Sequence, residues 1–312
     1  MDTSLKAFRQ HLAGLKSAST ARKYPAYAAS FLTLMRSNGY ENFADLPPGI
    51  LTQFSSMLSN AGKEPNTVRV QVYAAKKYLD WVRSQGVSVP VFGKPELPKV
   101  RVRVRDILST EDIGSYFRQV DLDLTEPVRT ATMLLPCCGI RANEMVTLRL
   151  GDIHKARVKM RDTKGGKVQY KTTLFLRVLG KGDKERSVPL MEEGVEILTG
   201  YLMGWRRRQP GDWLFPSTGG AAKKNPGKRH ITTRSLRAAV QKVRESMGME
   251  FTPHTMRRTY VTMLYRKGLD LKTLANIAGH ASIQTTINHY IATDPMDAVK
   301  ALSEVGDSLT ED

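Results

Sequence analysis

LFLRVLGKGDKERSVPL, residues 174–190, is the stretch on which the fold turns. Two short runs, LFLRVL and ERSVPL, flank Gly180-Lys181-Gly182-Asp183-Lys184, and that pattern predicts a β-hairpin. Just upstream, RVKMRD and a KGGK turn lead into YKTT and supply a further short strand. Most of the remaining chain has a helical period or is loop. The expected fold class is mainly α, with a small antiparallel β-sheet in the C-terminal domain.

Working back from the hairpin, the second domain begins near Leu108, where Ser109 or Thr110 with Glu111 and Asp112 marks a helix N-terminus. Residues 1–86 read as a separate helical bundle. Ser19-Thr20 precede TARKYPAYAASFLTLMRSNG, in which Tyr24, Tyr27, Phe31, Leu34 and Met35 recur at helical spacing and Gly39 closes the run. ILTQFSSMLSNAG predicts a second helix, and PNTVRVQVYAAKKYLDWVRSQG a third, striped by Val68, Val72, Leu79 and Val82. Between the domains, residues 87–107 are rich in proline and read as an extended, basic linker. There Lys99, Arg101, Arg103 and Arg105 alternate with valines, so an extended chain would point all four one way. A solvated edge strand and a segment lying on nucleic-acid phosphates both fit that pattern.

Charge narrows the function. The 312 residues carry a formal net charge of +18, with a sequence pI of about 9.9. The excess is uneven, because residues 292–312 hold six acids and one Lys. A folded chain this basic calls for a polyanionic partner. Besides residues 99–105, the DNA-contact candidates are Arg69, Lys76 and Lys77 in the bundle, and Lys223, Lys224, Arg229, Arg234 and Arg237 in the second domain. No apolar run is long enough to span a bilayer, and the first residues have no apolar signal core. Only two cysteines occur, Cys137 and Cys138; as neighbours they pair poorly and are expected as buried apolar side chains in a cytoplasmic, nucleoid-associated protein.

Four places hold polar groups that a core does not need. They are Arg141 with Glu144 in CGIRANEM, Lys181 at the hairpin tip, His254 with Arg257 in PHTMRR, and GHASIQTTINHY, which begins Gly279-His280 and ends at Tyr290. Thr252 can cap the helix that Pro253 opens, which puts His254 and Arg257 on one face. Gly279 ends one helix and Ser282 can cap the next, with Tyr290 in its last turn. No HExxH, Cys/His cluster, GxxxxGK[ST] loop or GxGxxG is present, so no metal or nucleotide cofactor is expected.

GIRANEMVTLRLGDI, VLGKGDKERSVPL, HTMRRT and GHASIQTTINHY, in this order and at these separations, resemble the active-site boxes of the tyrosine recombinase (phage integrase) family. The resemblance covers residues 108–291. More loosely, STARKY and the third helix resemble that family's helical, SAM-like core-binding domain. It implies a two-domain protein, Xer-like or of the mobile-element integrase type. The domains would be residues 1–86, the linker 87–107, and a catalytic domain 108–312 with an acidic tail, 292–312.

The resemblance also implies roles. Arg141 and Arg257 would bind the scissile phosphate, with Glu144 orienting that arginine site. His254 would take or share the nucleophile's proton, and Lys181 would protonate the leaving 5′-oxygen. His280 would hydrogen-bond the phosphate or assist the nucleophile, and Tyr290 would form a 3′-phosphotyrosyl link with no need of ATP or metal. Phosphate neutralisation by forked guanidinium groups suits that chemistry. A Tyr hydroxyl, with a pKa of about 10, costs roughly 4 kcal/mol to ionise at pH 7 and needs such help.

Three features depart from the common pattern: ten residues from His280 to Tyr290 where many members have nine, Arg258 where His is frequent, and a long interval from Arg141 to Lys181. The last leaves Lys184 as an alternative to Lys181. The expected partner is double-stranded DNA with paired core sites. The expected assembly is a homo-tetramer docked through the tail, passing through a Holliday junction. No arm-binding domain is expected ahead of the bundle. A type IB topoisomerase and a non-catalytic DNA-binding regulator are the alternatives.

Overall fold

The computed structural model describes residues 2–15, 18–100, 107–160, 169–180, 184–280 and 282–290. The chain divides into two compact units, Met1–Val102 and Arg103–Asp312.

The first unit holds helices α1 (Asp2–Leu15), α2 (Ala18–Ser37), α3 (Ile50–Asn60) and α4 (Pro65–Ser84). Helix α2 packs against α1 and α4, and α3 against α4. Aromatic side chains fill the centre: Phe8, Phe31, Phe54 and Tyr78 are fully buried. Phe31 meets Phe54 edge-on at 5.4 Å, and Phe8 meets Tyr78 at 5.3 Å, the geometry that aromatic quadrupoles favour. From the stripe read in the sequence, Phe31 and Met35 are in this core, while Tyr24 and Leu34 lie at its edge. Helix α2 starts at Ala18, so Ser19 and Thr20 lie inside its first turn instead of capping it. Beyond Gly86 the chain has no regular structure as far as residue 100, yet it is not a free connection. Val89 and Phe92 are buried in the α1–α4 core, and Arg83 donates to the carbonyls of Val89 and Pro90. Residues 101–106, including Arg101, Arg103 and Arg105, fall outside the described residues.

The second unit is built around one buried helix. It opens with α5 (Thr110–Asp123), α6 (Val128–Cys138) and the short α7 (Ala142–Val146). Ser109 caps α5 in a reciprocal pair with Asp112. Residues Thr130–Cys138 of α6 are all buried, so this helix has no solvent face. The sheet follows as β1 (Ile153–Met160), β2 (Gln169–Leu179) and β3 (Glu185–Pro189), antiparallel in the order β1-β2-β3. Leu176 pairs with Val188 and Val178 with Arg186, which puts the buried Leu176, Val178 and Val188 on one face.

Five α-helices follow among the described residues: α8 (Glu192–Met203), α9 (Thr233–Met247), α10 (Pro253–Arg266), α11 (Leu271–Ala278) and α12 (Ile283–Tyr290). Helices α8, α9 and α10 pack on α6, and α12 on α10 and α11. Cys137 and Cys138 are buried and unpaired; burial pushes the Cys138 thiol up to about 12, so both are inert filling. Among the described residues no helix is long and apolar enough to cross a membrane.

Candidate active site

Two helix ends create the site. A helix leaves its last carbonyls without partners and carries partial negative charge at its C-terminus. Helices α6 and α11 both end on a left-handed glycine, Gly139 (φ +58°) and Gly279 (φ +62°). Their terminal carbonyls are met by arginines from three other places. Arg257 of α10 donates to Gly139 O at 2.9 Å and also to Ala278 O. Arg186 of β3 donates through Nε to Ile277 O at 2.8 Å, and Arg141 reaches Gly279 O at 3.2 Å. Nothing larger than glycine fits at 139, where a Cβ would stand 2.4 Å from the Tyr260 ring. The Tyr260 hydroxyl donates to Pro189 O at 2.8 Å, which ties α10 to the end of β3.

One carboxylate organises the cations. Glu144, in the first turn of α7, accepts the Arg141 backbone N–H at 2.8 Å and Arg141 Nη1 at 2.9 Å. Arg186 grips the same carboxylate with both Nη atoms, at 3.0 and 2.8 Å. Burial alone would raise the Glu144 carboxyl. The Arg186 hydrogen bonds, with those from Arg141, outweigh that and hold it below the ordinary carboxylate range. Two guanidinium groups thus share one carboxylate, and with Arg257 bonded to the same two helix ends the cluster keeps a surplus of positive charge. Arg257 is only 2% exposed, whereas the Arg141 side chain is 42% exposed. Arg141 is the arginine at the surface, with Arg257 as buried charge behind it.

The histidines sit at the edge of this cluster. His280 follows Gly279, with Nε2 3.3 Å from Arg257 Nη2 and Nδ1 2.9 Å from the buried Thr286 hydroxyl. A guanidinium only donates, so Nε2 accepts here and the ring proton is assigned to Nδ1. Thr252 caps α10 by accepting the Thr255 N–H at 3.2 Å, and Pro253 takes the first helical position. His254 follows, exposed, one turn ahead of Arg257.

The sequence-expected residues therefore divide into groups. Arg141, Glu144, Arg257 and His280 share one connected network, and His254 lies on the same helix as Arg257. Lys181 is outside the described residues; the hairpin closes just below it, where Gly180 N–H donates to Lys184 O at 2.8 Å. Tyr290 is the last residue of α12, the helix that packs against α10 and α11.

Sequence reasoning missed Arg186 and Thr286, and read Tyr260, which is fully buried, as a half-buried amphipathic side chain. A signal for Arg186 existed. Two residues from Val188 in a strand, it shares the core-facing side, and a charge on that side needs a partner.

The basic residues outside the network differ among themselves. Lys77, Lys99, Lys223, Lys224, Arg229, Arg234 and Arg237 are exposed. Arg69 instead reaches Pro98 O at 3.4 Å, and Lys76 pairs with Asp80 at 3.2 Å. Among the described residues no group of His, Cys, Asp and Glu is arranged to hold a metal ion.

Comparison with known proteins bears on the family and the fold. The family model described as the phage integrase family matches residues 117–296. A tyrosine recombinase XerC of Proteus mirabilis is 30% identical over 235 residues, covering 72% of this chain and 68% of that protein. A tyrosine recombinase of Thermosipho africanus (strain TCF52B) is 25% identical over 320 residues, covering 97% of this chain and the whole of its relative. In fold, the chain is similar to XerH site-specific recombinase, solved bound to its difH substrate before cleavage, with a TM-score of 0.65 and 20% identity. That match covers 97% of this chain and 84% of the other. The chain belongs to the phage integrase family and is a tyrosine-type site-specific DNA recombinase.

Proposed function

We propose that Tyr290 attacks a DNA phosphodiester, forming a 3′-phosphotyrosyl link and releasing a 5′-hydroxyl, and that strand exchange then proceeds through a Holliday junction. The observation that carries this reading is the surplus of arginine over carboxylate at the ends of α6 and α11. A pentacoordinate phosphoryl centre gathers negative charge, and preorganised cations aimed at it stabilise the transition state more than the ground state. Arg141 meets the non-bridging oxygens, with Arg257 deepening the positive field from behind. Glu144 orients Arg141. His254, at the positive end of α10, takes or shares the Tyr290 proton. His280 hydrogen-bonds the phosphate or assists the nucleophile, either of which requires the ring proton to move to Nε2 as the phosphate takes over the Arg257 contact. Lys181 protonates the 5′-oxygen as it leaves.

The bond energy stays in the phosphotyrosyl link, so the reverse attack by a new 5′-hydroxyl needs no energy source. The exposed cations Lys77, Lys99, Lys223, Lys224, Arg229, Arg234 and Arg237 hold the duplex, joined by Arg69, Lys76, Arg101, Arg103 and Arg105. Four protomers assemble on paired core sites, each docking its tail, 292–312, on a neighbour. The reaction serves integration and excision of a mobile element, or replicon resolution, in the cytoplasm.

The test is covalent trapping. Nicked duplexes tiled across the DNA flanking the coding sequence are incubated with wild type and with Tyr290→Phe, then resolved on a denaturing gel. A 3′-linked adduct at Tyr290, absent from the variant, is the expected result. Tight binding to the duplexes with no adduct, or an adduct that survives Tyr290→Phe, overturns the assignment.

A further inference from the structure

The site contains an arginine to which the proposed reaction gives no part. A carboxylate can be fully engaged by one guanidinium through two parallel N–H···O bonds. Arg141 starts with the advantage, because its own backbone N–H already sits on Glu144 Oε2 at 2.8 Å. The paired seat nevertheless belongs to Arg186, with Nη1 on Oε1 at 3.0 Å and Nη2 on Oε2 at 2.8 Å. Arg141 is left with a single side-chain bond to Glu144, its Nη2 on Gly279 O at 3.2 Å, and 42% of its side chain exposed.

Arg186 is held there independently of Arg141. Its Nε is anchored on Ile277 O at 2.8 Å, and its side chain is only 10% exposed. The guanidinium lies flush against the α11 turn, where a Cβ on Gly279 would stand 3.0 Å from it. Backbone contacts fix the group before any DNA arrives.

We propose that Arg186 is a positioning residue for the phosphate-binding arginine: by occupying the paired seat on Glu144, it keeps that carboxylate from capturing Arg141 and cancelling its charge. The role rests on the reading of Arg141 as a phosphate ligand. Together Arg141, Arg186 and Glu144 leave one net positive charge beside the scissile group. Without Arg186 the carboxylate turns its free valence on Arg141, and the local charge falls to zero. An anionic phosphodiester feels that loss fully. A methylphosphonate, which carries one negative charge fewer in both ground and transition state, feels it less.

The experiment uses the nicked duplex on which the wild-type chain forms its adduct, prepared with either a phosphodiester or a methylphosphonate at the scissile position. Arg186→Gln is expected to slow adduct formation on the phosphodiester on the order of 10- to 100-fold, short of the ~10²–10³ seen when a transition-state donor is itself removed. On the methylphosphonate the same variant is slowed several-fold less than on the phosphodiester, since ground and transition states each carry one negative charge fewer for the lost field to act on. The double variant Glu144→Gln, Arg186→Gln has no carboxylate left to capture Arg141 and keeps an amide oxygen to accept from it and orient it, so it recovers part of the lost phosphodiester rate. Arg186→Lys keeps the charge without the fork and falls between.

A mere structural brace gives the reverse, slowing both substrates equally and leaving the double variant no better than the single. Either outcome overturns the role. Thermal melting and duplex binding report whether each variant folds, and the neutral pair in the double variant decides the question should Arg186→Gln fail to. A wild-type chain that forms no adduct on any duplex overturns the reaction itself and this role with it. A wild-type adduct with unselective Arg186 variants overturns only the role.

Discussion

Arg257 and Arg186 are all but removed from water and bonded to the main chain, whereas Arg234 and Arg237, on α9 of the same unit, are exposed. The side chain is the same and the physics is not. A guanidinium enclosed by helix-end carbonyls and a carboxylate keeps one orientation, acts across a low local dielectric and is little screened by salt. An exposed guanidinium is mobile and screened, and it acts mainly by displacing counterions from a polyanion. The first arrangement suits a charge that must be in place when a bond breaks. The second suits affinity.

The comparison is most easily broken at Arg257. Arg257→Gln removes a buried charge and disturbs the contacts to Gly139 O and Ala278 O that hold the α6 and α11 ends together. Each buried acceptor left without a partner costs about 1–3 kcal/mol. A lowered melting temperature is expected, together with loss of adduct formation by at least the ~10²–10³ of a removed transition-state donor. An unchanged melting curve would show that the buried arrangement carries no structural weight.

Arg141 separates the two effects. Its Glu144 contact is duplicated by Arg186 and its side chain is half in solvent, so Arg141→Ala should change stability by less than about 1 kcal/mol. Adduct formation in a single-turnover assay should still fall ~10²–10³-fold. A large stability loss would move Arg141 into the class of Arg257.

How much of this was legible in the sequence follows the same division. Local chemistry announced itself: the pairing of LFLRVL with ERSVPL, the Thr252-Pro253 start of α10 and the Gly279 end of α11 all stand in the structure as written in the chain. Their signals lie within a few residues of each other and need no knowledge of the fold. Arg186 was overlooked because its meaning is non-local. Its partners are Glu144, 42 residues before it, and Ile277, 91 residues after it. The stretch after Gly86 hid its packing for a different reason: Val89 and Phe92 sit between prolines with no helical or strand period, so nothing marked them as core.

The smallest effect lies at the exposed end of the comparison. Arg234 and Arg237 are three residues apart on α9, hence on one face, and neither is paired with an acid among the described residues. If each meets one phosphate, Arg234→Ala or Arg237→Ala should reduce the slope of log K against log salt by about one. Binding should weaken uniformly across duplex sequences, and most visibly at low salt, where counterion release is greatest. At saturating DNA the rate of adduct formation should match wild type, because neither residue bonds to Arg141, Glu144, Arg186 or Arg257. Equilibrium titrations from 50 to 200 mM salt, roughly the range over which such contacts are titrated out, measure the first quantity. Single-turnover trapping measures the second. A variant that binds normally and cleaves slowly would mean that α9 also orients the DNA, and the division between charge for affinity and charge for chemistry would no longer hold.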